Sequence, residues 1–243
     1  MAKLTATPEP ALYELSEAPF SLRNLSRNGN RFNKPRGPHP HGWGVAYRAA
    51  GRILITKRAQ PAFEDERFTE IVAGIATDLL LGHVRLASPG TRIDEKNAHP
   101  FKKDELVLIH NGTIRDLAEP GGNDSEAFLE WLSRRWDRTE TGLAGLLREA
   151  ATSLDYTALN IILTDGRRLF AFRQTLDEPL FLAYYTLYQL REPGKLLVSS
   201  EPLDDRPWES LPNGHLLVAQ SPSEADILAL KCSPPVAKPG SKG

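Results

Sequence analysis

The spacing of apolar and polar positions changes several times along this chain. Residues 43–49 (WGVAYRA) and 51–58 (GRILITKR) are short strand-like runs with Ala50-Gly51 between them, which predicts a hairpin. Residues 79–87 (LLLGHVRLA) and 106–114 (LVLIHNGTI) are apolar runs that read as buried strands, and each leads into a polar, glycine-containing segment. Helical spacing marks 63–79, 123–137 and 139–154, with Asp124 or Ser125 suited to cap the second of these. Residues 11–26 (ALYELSEAPFSLRNLS) read as a short helix or two, and 32–42 (FNKPRGPHPHG) as a loop. The second half is strand-rich: 158–166, 167–173, 179–187, 194–202, 214–220 and 225–231, with Asp165-Gly166 as a two-residue hairpin turn. Strands, then two helices, then more strands predict a layered α+β domain and not a doubly wound sheet. There is no internal repeat and no long linker. Residues 1–231 are therefore expected to form a single domain, with 232–243 (CSPPVAKPGSKG) as a flexible tail.

Composition narrows the function classes. The 243 residues are 25% charged and 40% hydrophobic, with a net charge of -1, so nothing electrostatic argues for nucleic acid or an anionic membrane surface. No run approaches the ~20 apolar residues of a membrane span. The start, MAKLTATPEP, carries no apolar signal core, and the single cysteine, Cys232, leaves no internal disulfide, so a cytoplasmic protein is expected. No Cys/His grouping has zinc-site spacing; neither a metal nor a cofactor is expected.

Five stretches carry candidate chemistry: HGWGVAY (41–47), GHVRLASPG (82–90), NAHPF (97–101), HNGTI (110–114) and NDSEAF (123–128). Singly, each has an ordinary structural explanation, such as turn glycines, a loop histidine or a turn Asn-Gly. Together they place polar segments at the ends of apolar strands, where a rigid scaffold can hold a site. Arg85 can grip a carboxylate bidentately. Asn111 offers a side-chain amide and Gly112 an approachable backbone N–H, the donors of an oxyanion hole. Asp124 can accept from an ammonium. A carboxylate clamp, an ammonium acceptor and an oxyanion hole describe a site for an α-amino acid with a reactive side-chain carbonyl.

The order HGWG, GHxR-x-A-S, NxHPF, HNG and DSE resembles the class II glutamine amidotransferases, which are N-terminal nucleophile hydrolases. The resemblance spans about residues 1–220, and a late SSEPLDD…W…LPNGHLL segment (199–217) is similar to the small stand-alone branch of that family. It implies a four-layer αββα sandwich of two antiparallel sheets. It also implies roles: Arg85 for the glutamine α-carboxylate with Ser88 nearby, Asp124 for the α-ammonium, and Asn111 and Gly112 for the oxyanion. His99 would lie near the substrate wall. The 36–44 segment, with Gly42 and Trp43 as substrate-binding residues, would approach residue 2. The implied ligand is a small molecule, glutamine or a γ-glutamyl compound. A separate synthetase subunit and a homo-oligomer stay open.

The chain departs from the family at the nucleophile. The resemblance implies a cysteine at position 2, whose thiol attacks the γ-amide while its α-amine serves as base; this chain has Ala2, and a methyl group cannot attack. Cys232 lies near the tail without a free α-amine, and Thr5 would need four residues cleaved before it. Either Ala2 replaces the cysteine of an amidohydrolase and leaves a site that holds substrate without cleaving it, or the natural protein is a pseudoenzyme that binds a γ-glutamyl ligand or a protein partner without turnover.

Overall fold

The computed structural model describes residues 1–29, 37–88, 90–117 and 122–232. Two antiparallel sheets stack face to face. One holds β1 (Ala2–Pro10), β2 (Trp43–Ala49), β3 (Arg52–Arg58), β4 (Ala76–Val84), β9 (Tyr188–Glu192), β10 (Lys195–Ser199) and β11 (Glu209–Ser210), in the order β11-β9-β10-β1-β4-β2-β3. The other holds β5 (Phe101–Lys103), β6 (Leu106–Asn111), β7 (Asn160–Thr164), β8 (Leu169–Arg173), β12 (His215–Ala219) and β13 (Ala225–Ala229), in the order β13-β12-β8-β7-β6-β5.

The pleat explains the layers. Successive side chains alternate between sheet faces, so a strand covered on both sides reads as apolar throughout. In β6, Val107 and Ile109 face the other sheet, joining Leu79, Leu81, Ile162 and Ala171 in an inter-sheet core. Leu106 and Leu108 face outward against Phe128, Leu132, Leu143 and Leu147 of α3 (Asp124–Arg135) and α4 (Glu140–Ser153). On the opposite outer face, Trp43, Val45 and Leu80 pack against Leu15 of the helical turn Tyr13–Glu17, Leu22 of α1 (Leu22–Asn28) and Phe68 of α2 (Glu66–Ala73). The result is the four-layer α+β sandwich.

Several expectations need correction. The 1–35 region opens with β1, a central strand that its mixed composition conceals. Its first residues pair with both neighbours, Ala2 opposite Leu81 and Val198, Leu4 opposite Leu79 and Leu196. The helix expected over 63–79 is only Glu66–Ala73, capped by the Asp65 side chain, and β4 has already begun at Ala76. Residues 179–187 are not a strand. Pro179 opens α5 (Pro179–Tyr184), where its fixed φ suits a first helical turn; a short apolar run does not by itself distinguish helix from strand. The cap of α3 is Asn123, one residue earlier than expected, its Oδ1 accepting from the Ser125 and Glu126 amides. The 43–58 hairpin is present, its Ala50 and Gly51 both left-handed as a primed turn requires. Of the expected tail, Cys232 is half-buried against the α3–α4 core; 233–243 lie outside the described residues, as does the 30–36 part of the expected loop.

One buried ion pair anchors β1. Lys3 Nζ donates to Glu14 Oε2 (3.1 Å) and to the Pro10 carbonyl (2.6 Å), with the Lys3 side chain fully enclosed. Breaking such a pair from one side leaves a buried charge uncompensated, which costs about 3 kcal/mol. Glu14→Gln is therefore expected to lower stability by about that amount in urea unfolding, whereas the paired change Lys3→Met with Glu14→Leu recovers most of it. Equal losses in both variants would refute this account of the pair.

Candidate functional site

The strand ends converge on one cavity of about 630 Å³. Met1, Gly82 and His83 line it from the seven-stranded sheet, and Asn111 and Asn160 from the other. Asn111 ends β6 and pairs in register with Asn160 at the start of β7. Their polar side chains stand where the inter-sheet core gives way to the cavity, beyond Ile109 and Ile162 on the same faces.

Gly112 follows Asn111 at φ 151°, and a Cβ there would run into the Ala158 carbonyl. Only glycine allows the chain to turn so closely at this point. His110 is fixed just beneath. Its Nε2 donates to the Ala158 carbonyl (2.9 Å), and its Nδ1 accepts from the Ser125 hydroxyl (2.9 Å). Asp124 Oδ2 accepts from the Ile114 amide (2.7 Å) and Oδ1 from the Ser125 amide (2.8 Å), so the carboxylate is oriented at the cavity wall by the backbone after β6.

Arg85 follows β4 and is 5% exposed. One guanidinium nitrogen donates to the Arg92 carbonyl (3.0 Å), and burial draws its pKa below the usual guanidinium value while Asp94 and Asp124 oppose that. Its backbone is clamped by the 41–42 segment, the Arg85 amide donating to the Gly42 carbonyl (2.8 Å) and the His41 amide to the Arg85 carbonyl (3.1 Å). His41 Nδ1 accepts from the Ala87 amide (2.9 Å). The site thus brings a cation, a carboxylate, a side-chain amide and a glycine turn to one cavity.

Arg85, Ser88, His99, Asn111, Gly112 and Asp124 all line this cavity. Ala2, Gly42 and Trp43 do not. The alternation of β2 sends Trp43 to the outer face, where it is fully buried edge-on to Phe68 (5.1 Å) and donates to Asp65 Oδ2 (2.9 Å). Gly42 backs Arg85 and does not contact the cavity. Ala2 is fully buried, its methyl in the inter-sheet core, and Met1 is the residue of β1's leading end that reaches the cavity. The Met1 amine donates to the Gly82 carbonyl (2.7 Å), and burial lowers its pKa to about 5.

Sequence reasoning missed four contributors. Asn160 opens a buried strand, and its signal was a polar residue leading the apolar run IILT. His83 was visible in GHVR but given no role. Tyr184 and Tyr185 fall in the 179–187 run, whose apolar pattern suggests only a strand. Asn160 is 2% exposed, and among the described residues neither its side-chain oxygen nor its nitrogen finds a hydrogen-bond partner. His99 is 7% exposed, its ring nitrogens without a hydrogen-bond partner among the described residues, tilted against His83 (4.3 Å, 32°) and edge-on to Phe101 (4.6 Å). Buried polar groups are normally paired, so orphans on a cavity wall mark places where a ligand completes the hydrogen bonding. Among the described residues, no group of His, Cys, Asp or Glu is arranged to hold a metal ion.

The chain belongs to the class II glutamine amidotransferases: the family profile described as "Glutamine amidotransferases class-II" matches residues 13–193. The matched stretch contains Arg85, Asn111 and Asp124 and begins within the residues that follow β1. Over 222 residues the chain is 25% identical to the γ-glutamyl-hercynylcysteine sulfoxide hydrolase of Mycolicibacterium smegmatis, covering 89% of each. Over 235 residues it is 26% identical to the uncharacterized protein MJ1515 of Methanocaldococcus jannaschii, covering 80% of this chain and 65% of that relative's length. The fold is similar to glutamine phosphoribosylpyrophosphate amidotransferase from B. subtilis, with a TM-score of 0.67 at 13% identity over 96% of this chain and 49% of that one. That likeness is one of fold. Among the described residues, no helix is long and apolar enough to cross a membrane.

Two predictions follow from the buried polar groups. Burial holds His83 at about 3 and pushes His99 and His110 below the ordinary 6.5. The unfolded chain therefore binds protons below pH 6.5 that the folded chain refuses. The rings' contribution to stability is full above 6.5 and falls as pH is lowered, by up to about 1.4 kcal/mol per pH unit for each ring until that ring is protonated in the fold; the Met1 amine, lowered to about 5, adds a decline that begins below its ordinary 8.0. Urea unfolding across pH 7.5 to 4.5 measures this slope, and a flat profile below 6.5 would show that the rings take up protons in the fold. Separately, Asn160→Leu is expected to raise stability by about 1 kcal/mol, since it removes a desolvated amide that has no partner. A loss of stability would instead reveal a partner in the folded protein.

Proposed function

We propose that this cavity binds the γ-glutamyl group of glutamine or of a related γ-glutamyl amide, in the layout of an amidohydrolase that lacks its nucleophile. The observation that carries the reading is the presence of Arg85, Asp124 and the Asn111–Gly112 turn on one cavity. Arg85 grips the α-carboxylate, Asp124 accepts from the α-ammonium, and the Asn111 side-chain amide with the Gly112 N–H meets the γ-carbonyl oxygen. Asn160 and His99, buried with unmet hydrogen-bonding capacity, gain partners when the ligand enters. The M. smegmatis relative is named for hydrolysis of a γ-glutamyl compound, which supports the same ligand class.

Cleavage needs a nucleophile on the inter-sheet face beside the cavity floor. The Ala2 methyl lies on that face, in one cluster with Ile109 and Ile162, which also line the cavity. A thiol on this carbon, with a free α-amine beside it, would stand where the family's chemistry requires one; a methyl leaves the bound amide intact. The chain as it stands is therefore a binder of γ-glutamyl amides.

Calorimetry with glutamine and γ-glutamyl peptides tests this directly. Binding without glutamate release is expected, and Arg85→Lys is expected to weaken it about tenfold or more, because an ammonium cannot reproduce a bidentate guanidinium contact. Ala2→Cys, with Met1 removed to free the amine, is expected to release glutamate. A cysteine form that binds but stays inert would make the protein a dedicated binder and not a disarmed hydrolase. Absence of binding to every γ-glutamyl compound would refute the proposal.

A further inference from the structure

The cavity is far larger than glutamine needs. Glutamine has ten heavy atoms and its leaving group, ammonia, has one, whereas about 630 Å³ lies in the range of pockets that take drug-sized ligands, ~300–1,000 Å³. The sheet order shows where the surplus lies. β1 runs between β4 and β10, with Ala2 opposite Leu81 on one side and Val198 on the other. Arg85 stands on the β4 side of residues 1 and 2. A γ-glutamyl carbonyl held near those residues with its α-carboxylate on Arg85 must direct its leaving group toward the β10 and β9 side.

That side carries an aromatic and apolar wall. Tyr184, Tyr185 and Leu187 precede β9 and line the cavity there, beside Ser199 at the end of β10. The Tyr184 and Tyr185 rings meet edge to face, 4.7 Å between centroids at 88°, and Phe181 stacks on Tyr185 at 5.8 Å. This right-angled corner offers ring surface to a flat or bulky apolar group.

The wall is also held in place. No residue of α5 is buried, so core packing does not fix this short helix. Arg173, 7% exposed at the end of β8, fixes its backbone instead. It donates to the Leu182 carbonyl (2.7 Å), the Tyr185 carbonyl (3.1 Å) and, across the gap, the Leu211 carbonyl (2.6 Å). A buried guanidinium spent on three carbonyls positions the tyrosines before any ligand arrives, and such preorganisation favours affinity. Ammonia makes no use of such a wall.

Resting on the γ-glutamyl reading above, we infer that the ligand is a γ-glutamyl amide whose amine portion carries an aromatic or large apolar body, seated against Tyr184, Tyr185 and Leu187. The test is calorimetry on the full chain with four probes: glutamine, γ-glutamylethylamide, γ-glutamylanilide and γ-glutamylphenylalanine. The anilide and the phenylalanine conjugate are expected to bind about tenfold or more tightly than glutamine, with the ethylamide between. In Tyr184→Ala and Tyr185→Ala, the ratio of anilide to glutamine affinity is expected to collapse toward one, while circular dichroism confirms the fold. Equal affinity for glutamine and the anilide overturns the inference and leaves the γ-glutamyl reading standing, as does a ratio that survives both substitutions. If none of the four probes binds, the γ-glutamyl reading fails and the inference falls with it.

Discussion

The position of β1 in the middle of the seven-stranded sheet is the constraint from which the site is built. Its first residues are paired on both sides, to Leu81 of β4 and Val198 of β10, so the leading end of the chain cannot shift without breaking two ladders. The pleat then divides its side chains between faces. Ala2 and Leu4 enter the inter-sheet core, and Lys3 turns to the helical side, where Glu14 neutralises it. A charged residue enclosed so completely is tolerated only because its partner is a fixed part of the helical turn above it. The register of β1 sets the distance between residue 2 and everything the other strands bring to the cavity.

Around that fixed point, each functional side chain stands just beyond a regular ladder. Asn111 ends β6, Asn160 begins β7, Arg85 follows β4 and Asp124 opens α3. Regular pairing supplies the rigidity, and its termination supplies polar groups that no neighbouring strand consumes. The consequence is a wall on which, among the described residues, the side chains of Asn160 and His99 have no hydrogen-bond partner. Such groups cost stability in the empty protein, and a ligand that pairs with them recovers that cost on binding. Burial disfavours the charged form of the histidines beside them, whereas the neighbouring Asp94 and Asp124 favour the charged form of Arg85.

On the proposed reading, alanine in place of a thiol changes the chemistry without changing this scaffold. Ala2 fits the inter-sheet core, and the groups proposed to recognise a γ-glutamyl compound lie apart from it, just after β4, at the end of β6 and at the start of α3. That proposal makes recognition and bond cleavage separable.

Much of the architecture was legible in the chain itself, since period-2 and period-3.6 patterns report which faces are covered. The hairpin at Ala50-Gly51, the helices α3 and α4 and the buried strands β6, β7 and β12 follow from local chemistry: turn residues that accept positive φ, caps, and apolar runs of strand length; the β7–β8 hairpin is present as well, but its turn takes four residues, 165–168, and not the two expected, with Gly166 alone at positive φ. Arg85, Asn111, Gly112 and Asp124 were legible because their types have few roles in combination. What local pattern could not reach was decided by packing. β1 looks mixed because Lys3 is buried beside a carboxylate eleven residues away, and no window along the sequence contains that pairing as a strand signal. Trp43 went to the outer core and not to the cavity because the alternation of β2, set by its neighbours, placed it there. The 179–187 run opens with α5, begun by Pro179 and held by Arg173 on the Leu182 carbonyl, a contact between residues of different elements that the local pattern does not contain. Residue chemistry is a local property and survives in the sequence; which groups meet across two sheets depends on register between strands far apart in the chain, and only the folded structure decides it.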